Sequence, residues 1–335
     1  MHIIQNRRRF LTGFAAASAA GLLGPATSAR AEPRPETTRV RLPIFFKTSD
    51  CQAPEFIAEE LLRAEGFTDV RFVAAGTGPD SSDWIAHGEI DFDWNFPPAL
   101  ISQVYGGVPI KILAGLHAGC LELFANESIR SIMDLKGKRV GIDISGGNTH
   151  KLLIIHIAYV GLDPQKDIEW VTGADAVEMF AARKIDAFLA TPPQPQVMRE
   201  RKLGHVILKT SVDRPWSQYY CCMLSGSKEY VGRYPVATKR VMRALLKAID
   251  LCISDPERVA RLAVENGTVG RYDFALQAMT DARYDKWRDY DPADSIRFYA
   301  LRMKETGMTT ASPQAIIADG TDWSFLNELR RELKT

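Results

Sequence analysis

The chain lacks most of the features that would assign it quickly. Its 335 residues include five cysteines, Cys51, Cys120, Cys221, Cys222 and Cys252, and none stands at a metal-type spacing. An odd count leaves at least one thiol over, and a bond between the neighbours Cys221 and Cys222 would be strained. The cysteines therefore read as small buried apolar residues. No apolar run reaches the ~20 residues of a membrane-spanning helix. The Gly-x-Ser-x-Gly elbow is missing, and no Ser/His/Asp set is visible. His150 and His156, six apart, fall on different faces of a helix, so the zinc pattern is missing as well. Large excess charge is absent too, the formal net charge being +1, so the footprint of a nucleic-acid binder is not there. No catalytic residue, metal ligand or cofactor is expected.

What is present starts at the N-terminus. Arg7-Arg8-Arg9-Phe10-Leu11, an Ala/Gly-rich apolar run to about Gly24, and Ala29-Arg30-Ala31 describe a signal peptide over residues 1–31. Paired arginines followed by one residue and Phe-Leu resemble a twin-arginine signal, whose export machinery takes folded cargo. Glu32 stands where a lipoprotein would carry cysteine, so a soluble, exported chain in the periplasm is expected. Removing residues 1–31 takes away four arginines and no acid, which carries the charge from +1 to −3. About 300 remaining residues exceed a single core and predict two lobes.

Strand-like runs, Val40–Phe46, Val70–Val73, Ile90–Trp94, Ile110–Ala114 and Glu122–Ala125, alternate with helical spacing at Pro54–Ala64 and around Trp84. The alternation restarts with strands at Arg139–Asp143, Ile168–Val171 and Ile185–Leu189 and helices at Thr149–Val160 and Ala176–Arg183. That order predicts an α/β fold with a largely parallel sheet. Beyond Pro235 the chain reads as helical. Trp84–Pro98 aligns with Met179–Pro193, with Ala181, Ile185, Asp186, Pro192 and Pro193 recurring at identical offsets, and predicts a structural repeat. Both Pro-Pro exits then fall at carboxyl ends of strands, where open α/β sheets bind ligands.

Gly88-Glu89-Ile90-Asp91-Phe92, Gly107-Val108-Pro109-Ile110, Ile132-Met133-Asp134-Leu135-Lys136-Gly137-Lys138-Arg139-Val140-Gly141, Gly161-Leu162-Asp163-Pro164 and Arg183-Lys184-Ile185-Asp186-Ala187 stand in a familiar order. Over roughly Val40 to Leu251 the chain resembles the periplasmic substrate-binding proteins of ABC importers, nitrate/sulfonate/taurine type. That group shares its fold with pyrimidine-precursor binding and synthesis proteins. Asp93 departs from the glycine that family members often carry there, which concerns ligand choice. The resemblance implies a two-lobed type II periplasmic-binding-protein fold, with the ligand cleft between the lobes and a helical C-terminal extension. Lobe 1 is expected over 38–124 and 216–335 and lobe 2 over 125–215, with crossings near Glu122–Asn126 and Val212–Tyr219. It implies a monomer that hands a small-molecule ligand to the transmembrane subunits of an ABC permease, with their ATPase as an indirect partner. The alternatives are a solute receptor for a membrane sensor, or an enzyme resembling the pyrimidine-precursor synthase, whose longer cysteine-rich stretch is missing.

The candidate contacts come from loops at strand ends. Ser145-Gly146-Gly147-Asn148-Thr149 precedes a helix whose free N–H groups favour a carboxylate, sulfonate or phosphate. Asp93, Trp94 and Asn95 close the third strand, and a buried Asp93 calls for a donor on the protein or the ligand. Thr48, Ser49 and Cys51 follow the first strand. His117 ends another strand, Thr191 answers from the second lobe, and Trp216 and Tyr219 offer aromatic surface.

Overall fold

The computed structural model describes residues 32–44, 53–74, 82–267 and 269–334. The signal-peptide reading of 1–31 and the candidates Thr48, Ser49 and Cys51 lie outside the described residues.

Two sets of strands carry the same order. In the first, β1 (Arg39–Ile44) pairs in parallel with β2 (Asp69–Ala74), and β3 (Phe92–Asn95), β10 (Tyr220–Ser227) and β4 (Ile110–Ala118) form a sheet with β10 in the middle. The second is a five-stranded sheet in the order β7 (Ile168–Thr172), β6 (Lys138–Ile142), β8 (Ala187–Ala190), β5 (Glu122–Ala125), β9 (His205–Lys209). In each, two parallel strands are followed by a third, then by an antiparallel strand, then by a last one. The antiparallel strand of the first set, β10, comes from far along the chain, whereas that of the second, β5, directly precedes β6. The helices α1 (Ala53–Ala64), α2 (Ser82–Ala86) and α3 (Pro97–Tyr105) connect the first set, and α4 (Asn148–Tyr159), α5 (Ala176–Ala181) and α6 (Gln194–Glu200) connect the second. The strands β3, β5 and β8 are buried at every residue. β8 accordingly reads as an apolar run, whereas β3, Phe-Asp-Trp-Asn, alternates and buries polar side chains on one face.

The repeat expected from sequence is present down to its hydrogen bonds. Asp91, just before β3, donates its N–H to the Arg41 carbonyl at 2.9 Å, and Asp186, just before β8, does the same to Arg139 at 2.7 Å. Each carboxylate then takes back three bonds from its arginine: backbone N–H, Nε and Nη2, at 2.7, 3.2 and 2.6 Å for Arg41 and at 3.0, 3.0 and 2.9 Å for Arg139. The turns before them match as well, with Gly88 at φ 68° and the equivalent Arg183 at φ 56°. A left-handed turn followed by an Asp locked to the neighbouring strand is therefore used twice.

One expectation needs correction. The first crossing is expected near Glu122–Asn126, but Glu122–Ala125 form β5, paired to β8 on one side and β9 on the other. The chain passes between the sheets just before it, through Gly119–Leu121, and returns through 210–219 on its way to β10. The two passages lie side by side, with the Thr210 N–H donating to the Leu121 carbonyl at 3.0 Å.

Past β10 the chain is helical: α7 (Lys228–Arg233), α8 (Pro235–Ser254), α9 (Pro256–Glu265), α10 (Tyr272–Asp281), α11 (Pro292–Glu305), α12 (Pro313–Gly320) and α13 (Ser324–Glu332). In α8, Ala237, Val241, Ala244, Leu245, Ala248, Ile249 and Cys252 make one buried stripe at helical spacing. The stripe packs into one apolar cluster with Val40, Leu42, Leu62 and Trp94, so these helices cover the first set of strands. Asp255 ends α8 and caps α9, accepting from the Arg258 N–H at 3.2 Å.

Candidate functional site

The end of β3 and the start of α4 meet through a side-chain hydrogen bond. Asn95 Oδ1 accepts from the Phe96 N–H at 2.9 Å and from Asn148 Nδ2 at 3.0 Å. The first bond fixes which end of the Asn95 amide is oxygen, and that in turn fixes Asn148 as the donor. Asn148 Oδ1 is then an acceptor, buried and without a hydrogen-bond partner among the described residues. Such a group costs about 1–3 kcal/mol unless water or a ligand supplies a donor.

The helix start beside it offers the complementary chemistry. Gly147 is the N-cap of α4, and among the described residues no side chain caps the helix. His150 Nδ1 accepts from the Gly146 N–H at 2.8 Å, so its proton sits on Nε2. Burial pushes the His150 pKa below its ordinary value, which keeps the ring neutral, and the ring stands edge-on to Trp170 at 4.4 Å. Ser145 and Gly146 are exposed and Thr149 is half-buried. The unbonded N–H groups of a first helical turn, aided by the helix dipole, stabilise an anion. A cavity of about 690 Å³ adjoins α4 and shares His150 and Trp170 with this region, but neither asparagine lines it.

Alternation along β3 sorts its candidates. Phe92 and Trp94 enter the apolar cluster that α8 covers, so Trp94 is a core residue rather than a wall of the site. Asp93 and Asn95 take the opposite face. Asp93 is fully buried, and its carbonyl accepts from Ser225 Oγ at 3.3 Å on the neighbouring strand. The remaining candidates lie elsewhere. Thr191 builds the turn after β8, its N–H donating to Gln194 Oε1 at 3.0 Å. Trp216 is buried against His156 and Phe298, and Tyr219 stacks on Phe298 at 4.0 Å. Both are packed in or against a core, which exposed aromatic pocket surface is not. His117 is buried beside the turn at Gly119, in the company of three cysteines.

Sequence reading missed a buried ionic group. Glu122, at the start of β5, accepts from Arg199 Nη2 and lies 3.5 Å from Lys209 Nζ, which pairs with Asp281 at 2.9 Å. Beside it Gln196, Pro192 and Cys120 line a void of about 10 Å³, room for one water. Nothing local marks Glu122, because its partners stand far along the chain.

The model of the family described as NMT1/THI5 like matches residues 62–259. A protein of Brucella abortus (strain 2308) named as a binding protein is 28% identical over 204 residues, which is 60% of this chain and 63% of that protein. The match thus spans less than two thirds of that relative's length. Among solved structures, the periplasmic nitrate-binding protein NrtA from Synechocystis PCC 6803 is similar with a TM-score of 0.75 at 18% identity, covering 90% of each chain. The alkanesulfonate-binding protein SsuA from Xanthomonas axonopodis pv. citri is similar with a TM-score of 0.65 at 17% identity, covering 83% of this chain and 95% of that one. At such identities the likeness speaks for the fold, an α/β periplasmic-binding-protein fold. The family match runs through most of both sets of strands, and on it the chain belongs to the NMT1/THI5-like family.

Proposed function

We propose that the protein captures a small polar, anionic organic molecule of the sulfonate, carboxylate or aminopyrimidine class and delivers it to an ABC permease. The observation that carries this reading is the Asn95–Asn148 contact, which joins a strand end of one sheet to a helix start of the other. Around it stand uncapped helix N–H groups for an anion and the buried Asn148 oxygen for a donor on the same ligand. The lobes are built around the two sets of strands, the second spanning about β5 to β9. A ligand held by both shifts the open–closed equilibrium toward the closed form, which the permease recognises. The protein acts as an exported, soluble monomer in the periplasm, sent by the twin-arginine route, and carries out no covalent chemistry. Among the described residues no helix is long and apolar enough to cross a membrane.

A thermal-shift screen of sulfonates, carboxylates, aminopyrimidines and nitrate, followed by calorimetry, tests the reading. A true ligand raises the melting temperature by mass action, and Asn148→Ala weakens its binding by roughly 10-fold or more, the loss of one or two hydrogen bonds. X-ray scattering should show a more compact molecule with ligand. Equal compactness with and without a tightly bound ligand, or undiminished affinity in Asn148→Ala, would count against it.

A further inference from the structure

Four sulfur and nitrogen donors gather where the chain passes twice between the sheets. In a regular strand Cys221 and Cys222 would point to opposite faces. Against β4, however, the register of β10 slips between Tyr220 and Cys222, so two residues of β10 stand opposite His117. Such a bulge re-aims side chains. On the other passage Gly119 has φ 61°, and a Cβ there would meet the Ser211 backbone at 2.2 Å. The turn it permits brings Cys120 back beside His117. One donor atom from each of His117, Cys120, Cys221 and Cys222 lies within 4.8 Å of the other three, and all four residues are buried.

We propose that these four side chains bind one thiophilic metal ion of the Zn(II) type, in a closed Cys3His site that ties the two passages together. Three thiolates and an imidazole are the donor set of a structural zinc centre. Donors around a tetrahedral ion at about 2.3 Å stand roughly 3.8 Å apart. The Cys120–Cys221 sulfur separation of 3.1 Å and the 4.8 Å span of the cluster bracket that value. His117 Nδ1 lies 3.2 Å from the Gly119 carbonyl. A proton on Nδ1 makes that hydrogen bond and leaves Nε2 its lone pair, the tautomer that ligating histidines adopt. Thr210 braces the arrangement, its Oγ1 accepting from the N–H groups of Cys120 at 3.3 Å and Leu121 at 3.1 Å. Binding releases three thiol protons and leaves the site with one net negative charge.

The test is titration of the reduced, metal-free full chain with Co(II), followed by Zn(II). One Co(II) per chain should give the intense visible bands of tetrahedral coordination and an ultraviolet thiolate-to-cobalt band, both discharged by an equivalent of Zn(II). Cys222→Ser and His117→Ala should each weaken Co(II) binding by roughly 10-fold or more, while Cys252→Ala, outside the cluster, should leave the spectrum unchanged. A natively folded wild-type chain without a tetrahedral spectrum at saturating Co(II) overturns the proposal. So does a Cys120–Cys221 disulfide, read by mass, that persists in the native protein under reducing conditions. The wild-type result decides the matter even where a variant fails to fold.

Discussion

His156 lies inside the core on α4, edge-on to the ring of Trp216 at 4.3 Å. Burial pushes its pKa from the ordinary 6.5 down to about 3, because the imidazolium would lose its hydration with no carboxylate in return. The unfolded chain takes up this proton near pH 6.5, whereas the folded chain refuses it until about pH 3. The contribution to stability is therefore complete above pH 6.5 and eroded as the pH falls, at up to roughly 1.4 kcal/mol per pH unit. Urea unfolding at pH 6.5 and pH 5 should differ by about 2 kcal/mol, and His156→Phe should remove most of that difference, with His150 shifted the same way supplying the rest. Carboxylates such as Asp186, held below their usual range by the hydrogen bond from Arg139, lose their contribution only at lower pH, so the windows separate.

Among the elements, the two Arg–Asp locks tie the residue before β3 to β1 and the residue before β8 to β6. They are chemically alike but not equally dry: the Asp91 side chain is 8% exposed and that of Asp186 is 18%. Asp91→Asn should cost about 2–3 kcal/mol in urea unfolding, and Asp186→Asn less, since water screens the exposed pair more. The lock itself was legible as an echo, because Asp91 and Asp186 sit at one offset within matching turns. β9 and β10 were not. β10 runs Tyr-Cys-Cys-Met-Leu-Ser-Gly-Ser, buried on both faces and bulged, so it shows neither alternation nor β-branched residues. The candidate site was legible only in part for a related reason. Helix starts and strand ends announce themselves locally, and so Asn95 and Asn148 were both expected. Their contact, across 53 residues, was not. Cys120 and Cys221, separated by 101 residues, show no spacing at all until a bulge and a glycine turn bring them together.

At the scale of the whole molecule, the two sets of strands differ in how their fifth strand arrives. The second sheet is built from one unbroken stretch, β5 through β9, whereas the first must wait for β10. A fragment of residues 120–212 should therefore fold alone, with strand and helix signals in circular dichroism and a cooperative urea transition of lower midpoint than the full chain's. A fragment ending at residue 120 should not. A non-cooperative 120–212 fragment would show that the shared apolar core, rather than the sheet, is the folding unit. Residues of both sheets do contribute to one apolar cluster.

The late position of β10 also has a meaning during translation. β3 and β4 are not neighbours, and the strand that joins them is made about a hundred residues after β4 ends. At ordinary ribosomal speeds that is roughly 5–20 s. Throughout that interval the nascent chain carries two strands with open edges, an arrangement prone to pair with the wrong partner. Only the emergence of Tyr220–Ser227 closes those edges, so the first set of strands is completed late in synthesis.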